Sequence, residues 1–112
     1  MRDTEHIHQV SFVNWFRSNY PEALIFAIPN GELRAISVAN RLKAEGVVSG
    51  IPDLCILLEE KTIWIEMKKA KGGRVSKVQK EIHTKMQSLK HEVYVCNGFE
   101  EAKALMLSIA SK

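Results

Sequence analysis

"GIPDLCILLEEKTIWIEMKK", Gly50 to Lys69, holds two short apolar runs, each carrying charge where a strand rarely tolerates it. "DLCILL" and "TIWIEMKK" have strand length and β-branched or aromatic content, and the intervening "EEK" joins them most simply as a hairpin. Side chains two apart on a strand share a face. Trp64, Glu66 and Lys68 therefore line one face of the second strand, and Ile63, Ile65 and Met67 line the other. Asp53 opens the first strand at the end where its partner carries Glu66 and Lys68. A register with an odd residue-number sum, such as 53 or 55 opposite 66, puts Asp53 on the same face. Burying unpaired charge costs more than neighbouring apolar contacts return, so these groups either sit in water at strand ends or converge for chemistry.

The pattern outward from the hairpin is continuous, with no repeat, low-complexity tract or linker. Residues 3–19 carry helical apolar spacing at Ile7, Val10, Phe12, Val13, Trp15 and Phe16. "ALIFAIP", 23–29, is a short strand closed by Pro29, and "NGELRAISVANRLKAEG" is a helix from a capping Asn30 to Gly46. Val75 to Leu89 repeats apolar residues at helical spacing, "EVYVC" is a strand, and Phe99 to Ala110 is a last helix with Glu100 and Glu101 in its first turn. The order is α-β-α-β-β-α-β-α. The strand ending near Lys69, its following helix and the strand at 92–96 form a βαβ crossover, which requires parallel pairing. A small mixed α/β sheet with helices on both faces follows, and coverage of both faces explains why "DLCILL" barely alternates.

At 112 residues the chain is read as one domain, 1–112. Its 46% apolar and 26% charged composition is ordinary for a globular protein, and no run approaches the roughly 20 apolar residues of a membrane span. The polar N-terminus "MRDTEHIHQ" has neither a signal-peptide nor a transit-peptide pattern, so the expectation is cytoplasmic. Cys55 and Cys96 fall in strand-like runs and are expected as buried, reduced thiols. Net charge is only +3, but nine Lys/Arg face two acids between Lys61 and Lys90. Such a field suits a polyanion, nucleic acid above all, although a charge run alone is more often a solvated face.

Two carboxylates a few ångströms apart repel unless a cation sits between them. Hard oxygen ligands suit Mg²⁺ or Mn²⁺, and a lysine beside them can steady charge developing on a phosphoryl group. On Glu-x-Lys alone, a loop-capping Asp53 and a surface Glu66–Lys68 ion pair are the simpler explanation, since such tripeptides are common.

The combination is more specific. "GIPD", a hairpin and "IEMKK" resemble the PD-(D/E)XK nuclease signature. "NGELR", "LKAEGVVSGIPD", "IEMKKAKGGRVSKVQ" and "VYVCNGFEEA" resemble, in order and spacing, the virus-type replication-repair nuclease family, VRR-NUC. The resemblance implies a restriction-endonuclease-like fold and metal-dependent hydrolysis of DNA. It implies Asp53 and Glu66 as ligands of Mg²⁺ or Mn²⁺, the Met67 carbonyl as a further ligand, and Lys68 as the catalytic lysine. It matches a first-helix acid to Glu5, with Asp3 as the fallback if the helix is rotated, and a catalytic glutamine to Gln79. Stand-alone members are associated with homodimers acting on four-way junctions, for which Val10 and Trp15 offer an interface.

Geometry supports Glu5, since Glu5, Gln9, Phe12 and Phe16 fall on one helix face. An exposed first-turn acid is the plain alternative. Arg34, Arg41, Lys43, Lys69, Lys71, Arg74 and Lys77 are candidate phosphate contacts, each more often solvated when taken singly. His83 reads as a surface residue, and His6, His8 and His91 are scattered without zinc spacing. No organic cofactor is expected. Other readings are a nucleic-acid-binding module without turnover, and a monomeric nickase acting within a larger assembly.

Overall fold

The computed structural model describes residues 2–29 and 35–111. Eight elements follow the expected order: α1 (Glu5–Asn19), β1 (Leu24–Ala27), α2 (Ile36–Ala44), β2 (Leu54–Leu58), β3 (Lys61–Lys68), α3 (Lys77–Ser88), β4 (Glu92–Asn97) and α4 (Phe99–Ala110). They build one four-stranded mixed sheet in the order β1-β2-β3-β4. β1 and β2 are antiparallel, as are β2 and β3, while β3 and β4 run parallel across the α3 crossover. The hairpin turn is tighter than "EEK" suggests. Leu58 already pairs with Lys61, and Glu60 takes a left-handed φ of 58° to close the chain between them.

Strand parity sorts the side chains. Ile63, Ile65 and Met67 enter the core with Leu54 and Ile56, beneath Phe12 and Phe16 of α1 and Ala102, Met106 and Ile109 of α4. Phe12, Phe16, Ile63, Ile65 and Met67 are wholly buried, each contributing roughly 1.5–3 kcal/mol of transfer free energy. Thr4 caps α1 by accepting the Ile7 N–H, and Ser76 caps α3 in a reciprocal capping box with Gln79.

α3 covers the opposite face only over β4 and the neighbouring end of β3. The other end of that face is left open: Leu24, Phe26 and Leu57 are all more than a third exposed. The unbroken apolar reading of "DLCILL" thus holds for Leu54, Cys55 and Ile56, which are buried, and fails at Leu57. Cys55 and Cys96 are buried free thiols.

One expectation is corrected. α2 is shorter than 30–46 and fully buries none of its residues: Ile36 is 81% exposed, and Val38, Ala39 and Leu42 are only partly covered. The capping role expected of Asn30 lies outside the described residues. Trp15 is partly buried within the chain rather than standing free on the α1 surface. It packs against Phe12, Tyr20 and Phe99, with the Lys103 ammonium 5.9 Å from its ring centroid, because α4 crosses α1 at this point. Val10 remains exposed. Among the described residues, no helix is long and apolar enough to cross a membrane.

Candidate active site

The β2–β3 register pairs Leu54 with Ile65 and Cys55 with Trp64, an odd sum. One further step sets Asp53 across from Glu66 on the face that also carries Lys68. The Asp53 carboxylate turns inward and accepts the Met67 N–H at 2.8 Å, bridging the two strands beyond their last ladder pair. Met67 thus divides its groups: the side chain enters the core, while the backbone faces Asp53. Because N–H and C=O of one strand residue point to the same side, the Met67 carbonyl also lies along that edge.

Glu66 is 1% exposed and Lys68 6% exposed, so both side chains are committed to the site rather than to solvent. The Lys68 ammonium lies 3.9 Å from Glu66 Oε2 and donates to Gln79 Oε1 at 3.0 Å. Gln79 in turn donates through Nε2 to Glu66 Oε2 at 3.3 Å, and its Oε1 also accepts the Ser76 N–H. The Gln79 amide thus ties the helix cap, the lysine and the glutamate together. Burial, followed by the hydrogen bond and charge of Asp53, pushes Glu66 up to about 9; Lys68 offsets part of this and Glu5 adds to it. Glu66 and its neighbour Asp53 are together short of positive charge.

His83 corrects the reading of a surface histidine. It is 6% exposed, and its Nε2 lies 3.2 Å from Glu66 Oε1. Burial and the Lys68 charge, partly offset by Asp53, lower its pKa, which favours the neutral ring. Its spacing four residues after Gln79 was the available signal, since i and i+4 share a helix face.

A cleft of about 520 Å³ opens onto these groups, lined by Glu5, Ser49, Gly50, Asp53, Glu66, Lys68, Ser76 and Gln79. Gly50 brings the 49–51 segment against α3. Its φ is +90°, and a Cβ there would come 2.9 Å from the Val78 carbonyl oxygen. Gly73 similarly folds the basic loop back onto Lys68, where a Cβ would lie 2.9 Å from the lysine Cβ. A larger cleft, about 720 Å³, lies at the far end of the sheet around Tyr20, Pro21, Leu24 and Leu57. Its only ionisable groups besides the tyrosine are Glu22 and Glu59, the wrong sign for a polyanion.

Of the two N-terminal acids, Glu5 lines the cleft and Asp3 does other work. Asp3 accepts the N–H groups of Ala70 and Lys71 and bonds His8; the Ala70 bond is the main reason its pKa is lowered, with the His8 and Lys71 bonds adding to it. His8 is buried, not merely scattered. Its Nδ1 accepts the Phe99 N–H, which leaves Nε2 to donate to Asp3. Lys69, Lys71, Arg74 and Lys77 are exposed on the loop and first turn beside the cleft. Arg41 and Lys43 are exposed on α2, where Arg41 pairs with Glu45 at 3.8 Å. Arg34 lies outside the described residues.

Among the described residues, no three His, Cys, Asp or Glu side chains form a ready metal cage, so Glu5 does not complete a preassembled trio. The donors that do meet, two carboxylates and a strand-edge carbonyl, fit a hard divalent cation that keeps most of its coordination for water and phosphate.

The VRR-NUC domain model matches residues 2–100. A solved structure described as a VRR_NUC domain protein superposes with a TM-score of 0.76 at 21% identity, over 96% of this chain and 88% of that one. At that identity the likeness is one of fold. No curated protein matches the chain.

Proposed function

The chain belongs to the VRR-NUC domain family, a nuclease-type domain, and on that premise we propose that it is a divalent-metal-dependent endodeoxyribonuclease. The observation that carries this reading is the meeting of Asp53, Glu66 and Lys68 in one cleft beside a basic loop. Asp53, Glu66 and the Met67 carbonyl would hold Mg²⁺ or Mn²⁺, and Glu5, which lines the same cleft, would take part through water or phosphate. The cation, when bound, supplies Lewis-acid activation of the phosphodiester and of the attacking water.

The chain's own groups do the rest. Lys68, held by Gln79, places its ammonium against the non-bridging oxygen on which negative charge grows as water attacks phosphorus and the P–O bond to the leaving sugar breaks. Gln79 keeps Lys68 and Glu66 in fixed relation through that change. Lys69, Lys71, Arg74 and Lys77 draw the DNA backbone to the cleft, and Arg41 and Lys43 of α2 offer further phosphate contacts.

One site makes one cut, so paired incision is most simply achieved by a two-fold homodimer. Its substrate is branched DNA, a four-way junction foremost, in replication, recombination or repair in the cytoplasm. The test is a panel of four-way junction, flap, plain duplex and single-stranded DNA with Mn²⁺. Preferential cutting of branched substrates is expected. Binding without cleavage would point instead to a non-catalytic module.

A further inference from the structure

We propose that His83 is a positioning residue, holding one oxygen of Glu66 so that the carboxylate is presented with Asp53 to the divalent cation. The inference rests on the nuclease reading above and concerns the part of that site that faces α3.

Glu66 is held from two sides by donors of different kinds. Gln79 and Lys68 approach Oε2, at 3.3 and 3.9 Å, and are bonded to each other. Both lie on the cleft side, where an arriving phosphate competes for the lysine. His83 approaches Oε1 at 3.2 Å from within the protein and is 6% exposed. Lys68 and Gln79 line the cleft and His83 does not, so it is the holding contact that substrate does not disturb.

α3 is fixed for the task by the Ser76–Gln79 capping box at its start and by the close approach of Gly50 to Val78. Its position sets Nε2 as the reaching atom. A carboxylate turning about its side-chain bonds would meet a cation in several poses, and only some include Asp53. Loss of a group that orients a metal ligand typically weakens metal binding 10–100-fold.

The requirement is for a donor at the place of Nε2, not for a ring. Glutamine carries an amide nitrogen on a stem long enough to reach there, whereas asparagine stops near the position of Nδ1. The experiment is calorimetric titration of Mn²⁺ into the full chain without DNA, for wild type, His83→Gln, His83→Asn and His83→Leu. Melting curves without metal accompany each. The Leu and Asn variants should bind Mn²⁺ about 10–100-fold more weakly, with Gln within about threefold of wild type. Cleavage should show a matching rise in the Mn²⁺ needed for half-maximal rate, with KM for DNA unchanged.

Wild-type Mn²⁺ affinity in both the Leu and Asn variants would overturn the proposal while leaving the nuclease reading standing. So would a Gln variant as weak as Leu. If the Leu variant does not fold, the two amide variants decide the matter alone. Wild-type Mn²⁺ binding that is insensitive to Asp53→Asn would overturn both this proposal and the reading beneath it.

Discussion

Asp53→Asn should make the metal-free protein more stable while destroying its use. The asparagine oxygen can keep the bond from the Met67 N–H, and its amide can donate to Glu66 where the wild type sets carboxyl against carboxyl. In the wild type, Glu66 is raised from 4.5 to about 9 in the folded chain. Its contribution to stability is therefore fully present below about 4.5 and is lost as pH rises toward about 9.

At about 1.4 kcal/mol per pH unit, the ceiling on that loss at pH 8 is about 5 kcal/mol. Burial, the largest cause, survives the substitution. Only the part of that ceiling owed to Asp53 is recovered, a gain on the order of 1–2 kcal/mol. For a domain of this size that raises Tm by about 5–10 °C. Thermal melts of both proteins in chelator should diverge as pH rises from 7 to 8.5, above the range in which His83 titrates. Added Mn²⁺ should then raise the Tm of the wild type and leave the variant where it was. A variant less stable than wild type at pH 8, or a gain that does not change with pH, would refute the account of a repelling pair.

Lys68→Ala should leave Mn²⁺ binding largely intact and lower kcat by about 10²–10³, the usual cost of one group aimed at developing charge; wild-type turnover would remove Lys68 from the chemistry. Arg74→Glu with Lys77→Glu should weaken binding to all DNA sequences alike and flatten the fall of affinity with salt, each lost phosphate contact reducing the log–log slope by about 1. A loss confined to one sequence would contradict this. Sedimentation at micromolar concentration should report a dimer, and a monomer there would remove the two-fold pairing.

The parts of the fold legible in the sequence were those with a local cause. Period-2 alternation in "TIWIEMKK" sorted Glu66 and Lys68 from Ile63, Ile65 and Met67, and the apolar run–turn–apolar run of the hairpin brought Asp53 to the same end. The βαβ crossover followed from the helical spacing after "KGGR", and β3 and β4 are parallel as it requires.

What could not be read depends on partners distant in sequence. His83 looks like a helix flank until the sheet brings Glu66, 17 residues away, beneath it. His8 is buried only because Phe99 and Asp3 close over it, and Trp15 is occupied only because α4 returns across α1. α2 shows the reverse: an amphipathic pattern promises a partner surface, but periodicity says nothing about whether the fold supplies one. Gln79 was singled out by the family resemblance, and its ties are visible only in the fold, where Lys68, Ser76 and Glu66 share its one amide.

The most direct test of the central claim is cleavage of covalently closed circular duplex DNA, which has no ends and so reports endonuclease action alone. Wild type, Asp53→Asn and Glu66→Gln would be run side by side with Mn²⁺ and again in chelator. The account predicts nicking or linearisation by the wild type with Mn²⁺, none in chelator, and none by either variant, with DNA binding kept in all three. Cleavage in chelator, or by either variant at the wild-type rate, would contradict it.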